Sequence, residues 1–381
     1  MHLSAQLSAG LAAVYVELVD RDGAQFRAGA AYNRFMSKML EETRQQPEAL
    51  ARTLEEASDA LKKLRRRFER HRPKLVILVA RGTSDNAAQF GRYLIEITAQ
   101  IPVSLAAPSV VTLYHSELDL TDALVVGISQ SGESTDTNAV LEDASRRGAV
   151  TLGITNEPSS AMARICEYAL FARAEKEESV AATKTYACQL MAFYLLACAL
   201  GGKVDTEALR RLPDQVERAL RLEDSIAQAA ADYATMTRAV TVGRGLNYAN
   251  ALEFGLKLME TCYVVAERFS AADLMHGPIA MVERAFPVFV FAPAGVTWPS
   301  ISYVLDRVRE LRAQTLVITD STNAEAAARG SRVIQLPDAV EEIYTPIPYI
   351  VPAQLFAAHL AAIKGLDADR PRTLQKVTLT M

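Results

Sequence analysis

A chain of 381 residues that is 50% hydrophobic and carries a net charge of −4 has enough apolar side chain for two ordinary soluble domains with full cores. That composition speaks against nucleic acid as a partner, and residues 1–33 lack the basic start and cleavage pattern of a signal peptide. Four cysteines, Cys166, Cys188, Cys198 and Cys262, have no C-x-x-C spacing and sit in apolar surroundings, which points to buried thiols in a reducing cytoplasm.

In chain order, residues 1–35 are expected to form a tail, either disordered or ahead of a native start at Met36. The basic run from Lys62 to Arg70 lies on a predicted helix with an apolar far side and reads as a solvated face. Short aliphatic, β-branched runs at 74–79, 102–106, 123–129, 150–155 and 169–174 are each followed by a helical pattern, which predicts a parallel, doubly wound α/β sheet. A long apolar helix over 183–200 follows. Its apolar run, 190–200, is too short to cross a bilayer, which needs about 20 residues. After a charged amphipathic stretch over 206–221, the pattern restarts at 239–242.

The restart is a repeat. Ala80-Arg81-Gly82 matches Gly243-Arg244-Gly245, Phe90-Gly91 matches Phe254-Gly255, Glu96 matches Glu260, and Gly153-Ile154-Thr155 matches Val317-Ile318-Thr319. A register held over several elements predicts two tandem copies of one α/β unit.

The richest stretch is 125–137, where an apolar strand empties into Ser129-Gln130-Ser131-Gly132-Glu133-Ser134-Thr135. Gly127 and Gly132 are expected to allow a tight turn, the hydroxyls to donate, and a helix over 133–147 to aim its N-terminal N–H groups at the same spot. That is a cup for a phosphate, although an N-cap-rich turn with no ligand fits the pattern too. No Gly-Lys-Ser/Thr follows the glycines, and no G-x-G-x-x-G is present. The second copy has Phe291-Ala292-Pro293-Ala294-Gly295 there and has lost the hydroxyls. It carries instead Glu253, Lys257 and Glu260 on one helix face, either a surface ion pair or a functional set. His276 precedes Gly277-Pro278 in a predicted loop, where α/β proteins place catalytic groups.

These residues carry a resemblance to the sugar isomerase (SIS) family. The chain resembles the isomerase half of glutamine:fructose-6-phosphate amidotransferase and stand-alone SIS-type glucosamine-6-phosphate deaminases, through Met36–Glu42, Arg81-Gly82-Thr83-Ser84, the serine cup, Val180-Ala181-Ala182-Thr183-Lys184, Leu274-Met275-His276-Gly277-Pro278 and the tail from Asp369 to Thr378. The resemblance implies two tandem SIS domains, each a five-stranded parallel sheet, over 36–205 and 206–365, with a tail over 366–381 covering the active site. It implies that Ser84, Ser129, Gln130, Ser131 and Ser134 hold a sugar phosphate, with backbone help near Val180 and Ala182; Ala182 departs from the serine usual in the synthase. It further implies that Glu260 moves a proton between C1 and C2 with Lys257 beside it, that His276 assists ring opening from a partner subunit, and that Lys376 closes over the open sugar. Glu253 is the next candidate base.

The expected assembly is a homodimer with shared sites, with no metal, organic cofactor, nucleic acid or membrane involved. Because only about 35 residues precede the SIS unit, the sequence reads as lacking its own glutaminase. The expected reaction is therefore deamination of glucosamine 6-phosphate to fructose 6-phosphate and ammonia. The alternatives are a synthase-type isomerase subunit, a fructosamine-6-phosphate deglycase and, in a different class, a sugar-phosphate sensor.

Overall fold

The computed structural model describes residues 37–374 and Lys376; the tail expected over 1–35 lies outside the described residues. Among the described residues three helices come first, α1 (Lys38–Arg44), α2 (Gln46–Glu56) and α3 (Ser58–Arg70). Ser37 caps α1 by accepting the Leu40 N–H, which satisfies one of the orphan donors of a first turn. On α3, Leu64 and Phe68 are buried while Lys62, Lys63, Arg65 and Arg66 stay exposed, so the basic run is a solvated face.

Among the described residues ten strands form two five-stranded sheets. The first contains β1 (Leu75–Val79), β2 (Val103–Leu105), β3 (Ala123–Ser129), β4 (Val150–Thr155) and β5 (Tyr168–Phe171); the second contains β6 (Arg238–Gly243), β7 (Val265–Ser270), β8 (Pro287–Phe291), β9 (Gln314–Asp320) and β10 (Arg332–Leu336). The orders are β2-β1-β3-β4-β5 and β10-β9-β8-β6-β7, with every pairing parallel. Read from β7, the second order is the first repeated. In each lobe the winding reverses beside the first strand, between β1 and β3 and between β6 and β8, which opens a crevice at the strands' C-terminal ends. The strands expected at 102–106 and 169–174 are shorter than predicted. Both are edge strands, paired on one side only, so the ladder ends early.

Further helices pack on and between the sheets, among them α4 (Thr83–Thr98), α5 (Thr135–Arg146), α6 (Lys184–Ala199), α7 (Thr206–Leu220), α8 (Glu223–Ala231), α9 (Tyr248–Cys262), α10 (Ala271–Met275), α11 (Trp298–Glu310) and α12 (Pro346–Ile363). Helices α6 and α12 are apolar on every side because they run inside one core that spans both sheets. Phe356 of α12 packs edge-on against Phe254 of α9 and Phe289 of β8, at centroid distances of 5.7 and 5.2 Å. Helix α12 is long and apolar enough to cross a membrane, but 89% of that span is buried inside the fold. Shared burial of this kind joins the lobes, so a crevice in one lobe can be walled by the other.

Cys188 and Cys262 are buried and Cys166 and Cys198 half-buried, so the expectation of four buried thiols holds for two. Burial pushes Cys188 and Cys262 up to about 12, far from a reactive thiolate.

Candidate active site

The turn after β3 is built from its own hydroxyls. Ser129 Oγ accepts the Gly132 N–H at 3.1 Å and Ser131 Oγ accepts the Glu133 N–H at 3.2 Å. A hydroxyl that accepts an N–H keeps its own proton to donate outward. Gly132 turns with φ +67°, a conformation that favours glycine. Gly127 has a different reason from the tight turn expected: it lies inside regular β3, where an added Cβ would come within 2.5 Å of Leu141 on α5. Close packing of helix on sheet requires it.

Helix α5 begins at Thr135, two residues later than expected, with Ser134 as its extended N-cap. The Ser134 hydroxyl donates to Asp136 at 2.9 Å and meets Thr137 at 3.0 Å, so its proton is placed within the turn. Burial alone would raise the Asp136 carboxyl, but Arg81 at 2.7 Å, Ser134 and the Thr137 N–H hold it below its ordinary value.

A cavity of about 330 Å³ opens over this turn. Its walls bring together Ser84, Ser129, Gln130, Ser131, Ser134, Val180, Ala182, Lys257, Glu260 and Lys376 of the sequence-derived set, with Arg81, Thr83, Thr185, Gln189 and Leu374 besides. Ser84 accepts from Gln189 Nε2 at 2.9 Å. Among the described residues, Thr185 Oγ1 and Gln189 Oε1 are buried with no hydrogen-bond partner, which leaves two polar groups available on the wall. The Val180 N–H already donates to the Asp369 carbonyl at 3.2 Å, so backbone help expected from this residue cannot come from its N–H.

Opposite the turn stands α9. Its charged face is not at the surface: the Lys257 and Glu253 side chains are 1% and 0% exposed, which overturns the surface ion pair. The reason is that α9 lies between the lobes and faces α4, where Thr83 and Asn86 donate to Glu253 at 3.1 and 2.8 Å. Lys257 Nζ sits 3.3 Å from Glu253 and 2.5 Å from Glu260. Burial favours a neutral lysine, but two carboxylates outweigh it and raise Lys257, which stays an ammonium. One cation cannot serve two buried anions equally. Burial, reinforced by the like charge of Glu260, pushes Glu253 up to about 7 in spite of Lys257. Glu260 faces the cavity and Glu253 does not.

The C-terminal segment crosses the open side. Asp369 accepts the N–H groups of Lys38 and Met39 at 2.7 and 2.8 Å, and the Arg372 guanidinium lies 4.2 Å from the Tyr263 ring centre. Lys376 Nζ reaches Glu177 at 3.1 Å and the Ser179 carbonyl at 2.6 Å. Glu177 is buried. Burial would raise its carboxyl, yet Lys376 and the N–H groups of Thr183 and Thr185 hold it below the ordinary range. Glu177 escaped the sequence reading because its partner is 199 positions away. Arg81 and Thr83 had a usable signal, since they follow β1 as the cup follows β3. His276 ends α10, is exposed and does not line the cavity.

The SIS domain profile matches residues 71–199 and 233–364. The chain belongs to the SIS domain family. A relative of this SIS protein from Pyrococcus horikoshii, named glutamine–fructose-6-phosphate aminotransferase (isomerizing), is 37% identical over 308 residues, which are 79% of this chain and 51% of the relative. The chain thus spans about half the length of that protein. The solved C-terminal domain of glucosamine-fructose-6-phosphate aminotransferase from Francisella tularensis superimposes with a TM-score of 0.79 at 29% identity, covering 88% of this chain and 98% of that one. Glucosamine-6-phosphate deaminase from Thermotoga maritima shares the fold at 22% identity, with a TM-score of 0.70 and coverage of 90% and 100%.

Proposed function

We propose that this SIS protein is an aldose–ketose isomerase of hexose 6-phosphates that exchanges oxygen for nitrogen at C2, in the direction fructose 6-phosphate plus ammonia to glucosamine 6-phosphate plus water. The observation that carries this is one cavity lined both by the hydroxyl-rich turn after β3 and by the Lys257–Glu260 pair. The phosphate sits against Ser129 and Ser131, each of which keeps a hydroxyl proton to donate. Glu260 takes the proton from C1 of the C2 imine and returns a proton to C2, while the Lys257 ammonium steadies the carboxylate between transfers. Lys376 neutralises charge developing on the open-chain sugar.

The relatives' names support amination over the deamination expected from the sequence. That expectation rested on where the chain begins, which carries no conclusion for a chain that spans half of its relatives. Deamination is the same reaction reversed, through the same groups. Incubation with fructose 6-phosphate and ammonium should yield glucosamine 6-phosphate, with solvent deuterium entering C2. No product in either direction, and no deuterium in any hexose 6-phosphate, refutes the proposal.

His276 lies outside the cavity of its own chain, and in this reading a second copy supplies it. Co-assembled His276→Ala and Glu260→Gln chains, each inactive alone, should recover about a quarter of full activity, because half of randomly paired dimers hold one intact site. No recovery despite demonstrated subunit mixing removes His276 from the shared site.

A further inference from the structure

A second cavity, of about 580 Å³, lies at the C-terminal ends of β6 and β8, the place in the second lobe that corresponds to the first cavity. Gly245 and Leu246 follow β6 there as Gly82 and Thr83 follow β1, and Ala294 to Thr297 follow β8 as Ser131 to Ser134 follow β3. Its turn already holds an anion. The Val296 N–H and the Thr297 hydroxyl both donate to the Glu342 carboxylate at 2.5 Å, and the Thr297 N–H adds a third contact at 3.3 Å. A Cβ on Gly295 would lie 2.0 Å from Glu342 Oε2, so the carboxylate fills the hollow that the glycine leaves. In the first lobe Ser134, the counterpart of Thr297, donates to Asp136 of its own helix at 2.9 Å, and among the described residues no carboxylate bonds to Ser129, Gln130 or Ser131.

We propose that Glu342 is a built-in anion that fills the second lobe's copy of the phosphate cup and closes that lobe to phosphorylated ligands. The carboxylate comes from the same chain, so it is present at the turn at a local concentration that free phosphate does not match. The rest of the cavity agrees with a closed site. Ile97, one position past the Glu96 that aligns with Glu260, lines it together with Leu246, Val340 and Ile343, and among the described residues no lysine–glutamate pair lines it. The plug also has a structural use: Glu342 opens the turn into α12, where Thr345 Oγ1 donates to the Glu342 carbonyl and Asn247 donates to Thr345 at 2.7 Å each. The second cup therefore fastens a core helix instead of a substrate.

The comparison rests on reading the first turn as a phosphate cup, and the assay keeps the two ideas apart by counting inorganic phosphate bound per chain in the intact protein. Glu342→Ala should bind one more phosphate than the parent chain, two against one, and should keep that extra phosphate when Ser129 and Ser131 are both alanine. A parent chain that binds none, with a Glu342→Ala chain that binds one, overturns the first cup and leaves the plug standing. A folded Glu342→Ala chain with the parent's stoichiometry overturns the plug. Glu342→Gln, which keeps the side chain's size, guards against misfolding. Phosphate should raise its melting temperature more than an equal ionic strength of chloride does, and more than phosphate raises the parent's; equal shifts in the two proteins overturn the proposal.

Discussion

Helix α4 carries Gln89, Tyr93 and Glu96 at the positions where α9 carries Glu253, Lys257 and Glu260. Glu96 accepts the N–H of Val103 at the start of edge strand β2, at 3.0 Å, and stays exposed. Glu260 instead meets a buried ammonium at 2.5 Å on a cavity wall. The turns differ in the opposite sense: the first keeps two serine hydroxyls that can donate outward, and the second is filled by Glu342. Neither copy holds a full set. Two copies of one fold packed through a shared core can each lose one half of the chemistry, provided that the retained halves face the same cavity.

The sharpest way to break this comparison is to substitute the aligned pair. In the proposed reaction, Glu260→Gln removes the proton acceptor and should lower kcat by a factor of about 10² to 10⁴, while Glu96→Gln should change it by less than about twofold. Deuterium exchange at C2, followed by NMR, reads both. Equal losses would mean that the two glutamates act through the fold.

Substituting the turns gives the next effect. Ser129→Ala with Ser131→Ala removes two hydrogen bonds to a charged group, each worth about 1.5 to 3 kcal/mol. The KM for a hexose 6-phosphate should rise about 10²-fold or more, while Thr297→Ala in the other lobe should leave it unchanged. Initial-rate kinetics on the two variants decide it.

A smaller change is expected from the tail, which among the described residues lines the first cavity and not the second. Glu177→Gln removes the buried charge that holds Lys376 and should lower kcat about tenfold, with partial recovery in Glu177→Asp. Trypsin should also cut after Lys376 faster in the glutamine variant. Unchanged cleavage and rate would show that the tail is held elsewhere.

The least effect is on stability, through the charged face that α4 lacks. Folding moves the Glu253 carboxyl from the usual 4.5 up to about 7, so between those values the folded chain binds a proton that the unfolded chain has released. Stability from this group therefore falls as pH rises through that window and levels off above about 7. Urea unfolding of Glu253→Gln should lack this component, about 1 to 3 kcal/mol between pH 4.5 and 7. A slope equal to the parent's would place the buried proton on another group.

Much of the fold was legible beforehand because its signals are local. The β-branched runs behind β1, β3 and β4, the repeat across both lobes and the hydroxyl-rich turn at Ser129 to Ser134 depend on neighbours within a few residues, and strand and helix periods carry them. The spacing of Glu253, Lys257 and Glu260 likewise placed them on one face. It did not say what that face would meet.

The sequence by itself thus determined the two α/β lobes, the hydroxyl-rich turn and the alignment of the charged residues. Tertiary structure alone decided that Glu253 and Lys257 are buried, that Gly127 serves packing, that Glu177 holds Lys376, and that Glu342 fills the second turn from 45 positions away. Periodicity shows which residues share a face, whereas burial, pairing and pKa depend on which faces the folded chain brings together.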